Sequence, residues 1–305
     1  MSKILVFGHK NPDTDTICSA IVMSEMQKKM GIDAEAVRLG EVNKETQYAL
    51  NYFNADLPRM IDNVEEGQEV ILVDHNEFQQ SVDGIEKAKI NTVVDHHRID
   101  NFKTAEPLFY HAEPLGCTAT ILYRIGTMNK MEFEPKLAGL MLSAIISDTL
   151  LFKSPTCTEI DKKVAEELAK IANIDISTYG LEMLKAGTDL DDYSEEELID
   201  LDAKTIEKNG LKIVISQVNT VSIPDVLKRQ NELEQAMNKT IEKENLALFA
   251  LAITDILNSN SELLALGKRT DIIEKSYKLE NNRTFLEGVV SRKKQILPMI
   301  DKNID

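Results

Sequence analysis

Residues 90–97 are Ile90-Asn91-Thr92-Val93-Val94-Asp95-His96-His97, an apolar run that ends in a carboxylate and two adjacent imidazoles. The chain contains only five histidines, and four of them follow apolar runs of this kind, each with an aspartate close by. Open α/β sheets bind ligands where their strands end, so this stretch predicts a functional strand end. Imidazoles and carboxylates together are typical of a divalent metal centre, and such centres favour phosphoryl chemistry.

The first half of the chain alternates strand-like apolar runs with segments of helical periodicity. The predicted strands are residues 3–8, 34–39, 69–74, 91–95 and 107–111. The predicted helices are residues 16–30, 44–53, 117–128, 135–147, 158–172 and 177–185. Continuous apolar strands separated by helices predict an α/β fold with a mostly parallel sheet flanked by helices.

An acidic stretch near residue 190 separates this half from a second part with a different pattern. Ser194 and Glu197 form a capping box that opens a new helix. We therefore expect a domain of residues 1–188, a linker at 189–194 and a smaller α/β domain of residues 195–305. The alternative is a solvated loop within one domain. The second part is predicted to contain strands at 211–218, 246–256 and 262–267, one long helix at 224–244 and a closing segment at 283–295.

Composition limits the possible partners and the compartment. The 305 residues carry a net charge of −16, which disfavours a nucleic-acid partner because phosphate backbones attract basic surfaces. The three cysteines form no close pair, which favours reduced thiols in the cytoplasm. The N-terminal apolar run is too short for a signal peptide, and no apolar stretch reaches the roughly 18 residues of a membrane span.

Acidic and imidazole side chains follow three of the predicted strands and end one predicted helix. They are His9, Asp13, Asp15, Asp74, His75, Asp95, His96, His97 and Asp148. Parallel strands that are consecutive in the chain end on the same edge of a sheet, so we expect these groups to meet. Mixed carboxylate and imidazole ligands favour Mn²⁺ or a similar ion in one or two sites. With two ions about 3.5–4 Å apart, a carboxylate bridges them and a shared water becomes hydroxide near neutral pH.

Asp74 is the candidate bridge, because it follows a central strand. Several of the other groups also have a structural interpretation, although the adjacent His96 and His97 are rarely core residues after a buried strand. Asp13 or Asp15 could cap the helix that follows, and Asp148 could be an acid at a helix end without a function. His75 and His111 are interpreted as structural or surface residues.

Taken together, the motifs resemble those of the DHH phosphoesterase superfamily. Two stretches, Asp74-His75-Asn76-Glu77-Phe78-Gln79-Gln80-Ser81 and Ser291-Arg292-Lys293-Lys294-Gln295, are similar to motifs of the family II inorganic pyrophosphatases within it. The resemblance covers nearly the whole chain and implies an N-terminal DHH domain joined by a hinge to a C-terminal DHHA2 domain. It further implies a cytoplasmic, homodimeric enzyme, dependent on manganese or cobalt, that hydrolyses pyrophosphate to two phosphates. Additional Mg²⁺ is expected to arrive with the substrate.

The resemblance also implies a role for each matching residue. One metal ion would be bound by His9, Asp13 and Asp74. The other would be bound by Asp15, Asp74, His96 and Asp148. The substrate would be bound by His97, Lys204, Arg292 and Lys293. His97 is expected to donate a proton or hydrogen bond near the leaving oxygen, and Asp95 to orient a ligand imidazole through its other nitrogen.

Other interpretations compete with this one. Without the resemblance, residues 291–294 would be a solvated basic turn, and Lys204 would be a lysine on the surface of a helix. An exopolyphosphatase, a cyclic-dinucleotide phosphodiesterase and a single-strand exonuclease belong to the same superfamily. The acidic charge and the lack of a Gly-Gly-Gly-His run disfavour the nuclease, whereas the exopolyphosphatase shares the DHHA2 type of domain. A non-catalytic metal or nucleotide sensor is a further alternative, disfavoured by the complete set of ligands.

Overall fold

A computed structural model describes residues 3–304 of the chain. The chain divides into two compact units, the first ending at Gly187 and the second beginning at Thr188. None of the helices within the described residues has the length and apolar composition that a membrane span requires.

Parallel strands form the sheet of the first unit. They are β1 (Ile4–Phe7), β2 (Ala34–Arg38), β3 (Arg59–Met60), β4 (Glu69–Val73), β5 (Lys89–Asp95) and β6 (Phe109–Ala112). Their order across the sheet is β3-β2-β1-β4-β5-β6, and every neighbouring pair is parallel. The predicted parallel α/β fold is confirmed, and the five predicted strands agree with the structure to within two residues at each end. The two-residue strand β3 was not predicted.

Helices connect the strands and follow them. They are α1 (Thr14–Lys29), α2 (Lys44–Tyr52), α3 (Thr118–Met128), α4 (Pro135–Asp148), α5 (Glu159–Ala172) and α6 (Ile176–Gly187). Their starts are stabilised locally: Asp13 and Asn43 cap α1 and α2, Pro135 is the first residue of α4, and Thr158 forms a capping box at α5. Short 3₁₀ turns lie at Phe78–Gln80 and Ile85–Lys87.

The central strands β1 and β4 form the core of the first unit. Val6, Phe7, Val70, Leu72 and Val73 are each 0% exposed. Full burial of such a side chain contributes about 1.5–3 kcal/mol to folding. This packing explains why the strands are continuous apolar runs, and the parallel pairing of β1 and β4 places their carboxyl ends side by side.

The second unit has a mixed sheet. Its strands are β7 (Lys204–Lys208), β8 (Leu211–Thr220), β9 (Leu248–Asp255), β10 (Asn260–Leu266) and β11 (Arg283–Leu286). They are arranged in the order β11-β10-β9-β8-β7, in which only the β8–β9 pair is parallel. Its helices are α7 (Glu195–Asp200), α8 (Ile223–Leu227), α9 (Gln230–Glu244), α10 (Asp271–Glu274) and α11 (Leu297–Asn303). A π-helical turn occupies Arg292–Ile296.

Two details of the second unit differ from the sequence predictions. The single helix predicted at 224–244 is wrong, because α8 ends at Leu227 and α9 begins at Gln230. Between them, the side chain of Arg229 donates hydrogen bonds to Glu195 and to two backbone carbonyls of the segment before α7. Lys204 begins a strand, so its interpretation as a surface helix lysine is also wrong. The capping box of Ser194 and Glu197 is confirmed.

Candidate metal centre

The carboxyl ends of β1, β4 and β5 lie side by side and carry the polar residues of the candidate site. His9 follows β1, Asp74 follows β4 and His96 follows β5. The start of α1 adds Asp13 and Asp15, and Asp148 is the last residue of α4. Three adjacent parallel strands and two helix ends therefore bring these groups to one edge of the sheet.

The six residues predicted as metal ligands lie together in the structure. Within each of two subsets, one potential ligand atom per residue lies within 4.8 Å of the others. The first subset is His9, Asp13 and Asp74, and the second is Asp15, Asp74, His96 and Asp148. Asp74 belongs to both subsets, as expected of a carboxylate that bridges two ions.

The Asp74 carboxylate faces one imidazole with each of its oxygens. Oδ2 lies 3.5 Å from Nε2 of His9, and Oδ1 lies 3.3 Å from Nε2 of His96. The residue is 1% exposed, and its φ of 60° lies in the left-handed region. Asp and Asn tolerate this conformation better than most residues. The hydroxyl of Thr16 donates to Oδ2 at 2.7 Å, and that of Thr118 donates to Oδ1 at 3.3 Å.

Backbone carbonyls determine which nitrogen of each imidazole is available to a metal. Nδ1 of His9 lies 2.7 Å from the carbonyl oxygen of Lys10, and Nδ1 of His96 lies 3.0 Å from that of Leu115. A carbonyl oxygen can only accept, so both Nδ1 atoms carry the proton. Nε2 of each ring therefore faces into the cluster, and its lone pair becomes available to a metal once the ring is neutral, which is the arrangement that metal-binding histidines use.

Asp15 is held at the N-terminus of α3. It is 0% exposed, and its carboxylate accepts hydrogen bonds from the backbone N–H groups of Thr118 and Ala119 and from the hydroxyl of Ser19. The free N–H groups and the dipole of a helix N-terminus stabilise negative charge. This environment holds a buried acid in a fixed position beside Asp74.

The electrostatics of the cluster favour a bound cation. Burial and the neighbouring Asp15 raise the pKa of Asp74 to about 7, and the same two causes raise the pKa of Asp148 well above its ordinary value. Burial lowers the pKa of His9, but the hydrogen bond with Asp13 and the charge of Asp74 outweigh it and raise the pKa to about 9. Buried acids at such short distances ionise together only when positive charge balances them.

The available donor atoms also indicate which ions fit. Imidazole nitrogens and carboxylate oxygens suit Mn²⁺ and similar ions, whereas soft thiolate ligands select other metals. Burial raises the pKa values of Cys18 and Cys117 well above the ordinary value, so these nearby thiols stay protonated. The residues of the cluster therefore fit one or two divalent ions bound through nitrogen and oxygen.

His97 lies beside the cluster but its ring faces a different partner. Its backbone N–H and its Nδ1 both donate to Oδ1 of Asp95 at 3.0 Å, and the amide of Asn76 donates to Oδ2 of the same residue at 2.6 Å. Nδ1 of His97 lies 3.7 Å from Asp74, but its proton points to Asp95. The prediction that Asp95 orients a metal-binding imidazole is wrong. Asp95 bonds to His97, whereas the ligand His96 bonds to the Leu115 carbonyl.

The remaining histidines of the first unit have structural partners. Nδ1 of the buried His75 donates to the carbonyl of Val73, and its Nε2 accepts from Ser81. Burial lowers the pKa of His75 to about 4, so its ring is neutral near pH 7. His111 pairs with Glu113 at 2.7 Å. These contacts agree with the structural interpretation of both residues.

The predicted substrate-binding cations other than His97 belong to the second unit. Lys204 and Lys293 are exposed, and Arg292 is half-buried. The guanidinium of Arg292 donates to Oδ1 of Asp202 at 2.8 Å and to the carbonyls of Asp202 and Ile215. Its backbone N–H donates to the side chain of Gln217 at 2.9 Å, which anchors the start of the π-helical turn.

Several residues that hydrogen-bond to the candidate ligands or their neighbours were not predicted from the sequence. Thr16 has a local indication, since it directly follows Asp15 at the start of α1. Asn76 also has one, because it follows Asp74-His75 within the motif of residues 74–81. Thr118 and the Leu115 carbonyl come from a part of the chain far from Asp74 in sequence, and no local pattern indicates them. Only the fold brings them to the site.

Comparisons with known proteins identify the class to which this fold and site belong. Residues 3–145 match the model of the DHH family, N-terminal domain, and residues 181–303 match that of the DHHA2 domain. The chain is 58% identical to the probable manganese-dependent inorganic pyrophosphatase of Exiguobacterium sp. and 56% identical to the manganese-dependent inorganic pyrophosphatase of Bacillus subtilis. Each comparison covers 98% of both sequences. The chain belongs to the manganese-dependent inorganic pyrophosphatase family, built from DHH and DHHA2 domains.

Solved structures agree with this assignment. A crystal structure from Methanococcus jannaschii, assigned to family II of the inorganic pyrophosphatases, is 40% identical with a TM-score of 0.62, and the match covers 98% of both chains. An exopolyphosphatase-related protein from Bacteroides fragilis is 12% identical with a TM-score of 0.50, over 98% of this chain and 92% of that one. The second likeness shows a shared fold only.

Proposed function

We propose that this protein is a manganese-dependent inorganic pyrophosphatase that hydrolyses pyrophosphate to two orthophosphates. The observation that carries the proposal is the pair of overlapping ligand sets that share the buried carboxylate of Asp74. Relatives of this name align over 98% of the chain at 56–58% identity, which supports the same activity here.

The two ligand sets would hold two Mn²⁺ ions, for which Co²⁺ is a possible substitute. His9, Asp13 and Asp74 would hold one ion, and Asp15, Asp74, His96 and Asp148 the other. Bound divalent ions supply Lewis acidity to phosphate oxygens and lower the pKa of a water to near neutrality. Asp74 would be shared between the ions, while the carbonyls of Lys10 and Leu115 keep the Nε2 lone pairs directed at them.

His97 and the cations of the second unit would act on the substrate. His97 would donate a proton or hydrogen bond to the leaving phosphate oxygen, and its bond to Asp95 holds its ring in position. Lys204, Arg292 and Lys293 would neutralise the charge of pyrophosphate, which enters with additional Mg²⁺. Arg292 is suited to bidentate contact with phosphate because its guanidinium is planar.

Domain arrangement, assembly and location are part of the same proposal. The DHH domain would span residues 1–188 and the DHHA2 domain residues 195–305, with a hinge at 189–194. Limited proteolysis that cuts elsewhere first would contradict this hinge.

We further propose a cytoplasmic homodimer. The edge position of β6, whose Phe109 is 53% exposed, supports the dimer. The free state of all three cysteines supports the cytoplasmic location. A monomeric mass in light scattering would contradict the dimer.

A phosphate-release assay tests the activity. The protein is freed of metal by a chelator, reloaded with Mn²⁺ and given pyrophosphate, tripolyphosphate or a cyclic dinucleotide, with Mg²⁺ present. Rapid release from pyrophosphate alone supports the proposal. Preference for tripolyphosphate would favour the exopolyphosphatase alternative, for which the structural support is the fold-level likeness alone. Activity that survives exhaustive chelation would contradict metal dependence.

A further inference from the structure

The peptide group between Leu115 and Gly116 connects His96 to a buried carboxylate that lies outside the metal cluster. The carbonyl oxygen of this peptide accepts the hydrogen bond from Nδ1 of His96 at 3.0 Å. The N–H of the same peptide donates to Oδ2 of Asp161 at 2.9 Å. Carboxylate, peptide and imidazole therefore form one continuous chain of hydrogen bonds, which we call the Asp161 relay.

The burial of Asp161 exceeds what its local role requires. Asp161 belongs to the capping box of α5, where its carboxylate accepts from the N–H and the hydroxyl of Thr158. A capping box needs no burial, yet Asp161 is 0% exposed. Its remaining acceptor positions are used by Gly116 N–H and by the hydroxyl of Thr120 at 2.6 Å. Burying a carboxylate is costly, so these two additional contacts indicate a role beyond starting the helix.

Gly116 makes the close approach of the carboxylate possible. A Cβ atom at this position would lie 2.9 Å from Oδ2 of Asp161 and 3.0 Å from Cγ2 of Thr149. Real Cβ contacts are almost never so short, so any larger residue would push the peptide away from Asp161. Thr149 directly follows Asp148 and is itself buried, so the space around Gly116 is confined on that side as well. The local sequence is therefore adapted to the relay.

We propose that Asp161 is a positioning residue for the metal centre, acting on His96 through the Leu115–Gly116 peptide. A carboxylate that accepts from an N–H polarises the peptide, so its carbonyl becomes a stronger acceptor for the next donor. The stronger bond holds the His96 ring in its orientation and makes Nε2 a better electron-pair donor. Metal-binding histidines often donate directly to a carboxylate for this purpose. Here one peptide group stands between the two, and the inference rests on the proposed metal site.

Substitution of Asp161 separates this role from simple stabilisation. Asp161→Asn keeps the size of the side chain and removes its charge. We expect it to weaken Mn²⁺ binding to the metal-free protein by about 10- to 100-fold, the usual cost of losing an outer partner of a metal ligand. Tyr123→Phe is the matched control. It removes a 3.0 Å hydrogen bond to Glu167 between α3 and α5, the helices that contain Thr120 and Asp161, and it leaves the relay untouched. Titration calorimetry of both variants measures the affinity.

A second measurement does not depend on the metal. In NMR spectra of the metal-free protein, the Nδ1–H proton of His96 should move upfield in Asp161→Asn and stay in place in Tyr123→Phe. If Asp161→Asn fails to fold, Gly116→Ala replaces it, because the added methyl group separates the peptide from Asp161. We expect the same weaker Mn²⁺ binding and the same upfield shift of the His96 proton in this variant.

The outcomes distinguish the relay from the proposed function. Wild-type Mn²⁺ affinity and an unmoved His96 proton in the relay variants would overturn the relay alone. Equal losses of affinity in the relay variants and in Tyr123→Phe would also overturn it, by showing a merely structural effect. A wild-type protein that binds no Mn²⁺ would overturn the proposed function, and the relay with it.

Discussion

Asp95 accepts two hydrogen bonds from His97 through the same oxygen, one from the backbone N–H and one from Nδ1, both at 3.0 Å. The hydrogen bond from Nδ1 is the largest of the influences that raise the pKa of His97 above its ordinary value. The ring is half exposed, so it can meet a substrate while the buried Asp95 holds it from behind. This geometry suits a group that gives a proton to a leaving phosphate.

Asp95→Asn is expected to change the pH dependence of turnover. A proton donor must be protonated, so kcat falls as the pH rises through the pKa of His97. Removing the Asp95 charge lowers that pKa, and the alkaline fall of kcat should therefore move to lower pH. His97→Gln should lower kcat by about 100-fold or more and abolish this part of the profile. An unchanged pH–rate profile in Asp95→Asn would contradict the role of His97.

Asp74→Asn should separate metal binding from folding. Asn tolerates the left-handed φ of 60° at this position, removes the charge and replaces one carboxylate oxygen with an NH2 group that cannot bind a metal. We expect Mn²⁺ affinity to fall by more than the roughly 10- to 100-fold that is lost when a residue supporting a metal ligand is replaced. The thermal midpoint of the metal-free variant should be no lower than that of the metal-free wild type, because burial and the repulsion by Asp15 outweigh the attraction of His96 and already raise the pKa of Asp74 to about 7. Near-wild-type Mn²⁺ affinity would rule out a bridging role for Asp74.

Binding of Mn²⁺ should release protons and strengthen as the pH rises. In the metal-free protein the pKa values of His9 and His96 are about 9. Burial lowers both, but hydrogen bonds to Asp13 and Asp74, respectively, and nearby acids outweigh it. Both rings are therefore protonated at pH 7 and must lose a proton before Nε2 can bind a metal. Affinity should rise from pH 6 to pH 9. Calorimetry in buffers of different ionisation enthalpy counts the released protons, and a constant affinity over this range would refute the expectation.

Lys293→Ala tests the contribution of the second unit to substrate binding. The exposed ammonium group would contact a phosphate, so its loss should lower kcat/KM for pyrophosphate by about 10- to 100-fold. The Mn²⁺ content should stay at the wild-type value, because the ligand sets lie in the first unit. Lys302→Ala, which removes another exposed lysine of the same unit, is the control. A loss of bound Mn²⁺ in Lys293→Ala would contradict the assigned role.

The parallel fold and the ligand cluster could both be predicted from the sequence for one physical reason. Strands buried on both faces are continuous apolar runs, and the polar residue that ends each run marks the edge of the sheet. Asp74 and His96 follow such runs directly, so the local pattern located them without any knowledge of distant contacts. Asp13 is compatible with both of its interpretations, as a helix cap and as a metal ligand, because it caps α1 and also faces His9.

Features that depend on distant contacts could not be predicted. The break before α9 occurs where Arg229 bonds to the segment before α7, more than 30 residues away. The partner of His96 is a carbonyl 19 residues along the chain, so the prediction that the adjacent Asp95 supports this ring is wrong. The Asp161 relay combines contacts that span 19 and 45 residues. Local patterns contain no information on such pairs.

The most direct test of the central claim is an anomalous difference map recorded at the manganese absorption edge from crystals grown with Mn²⁺. We expect two peaks about 3.5–4 Å apart on either side of the Asp74 carboxylate. One peak should lie next to His9 and Asp13, and the other next to Asp15, His96 and Asp148. A single peak, or two peaks that do not both lie next to Asp74, would contradict a two-metal site that shares this carboxylate.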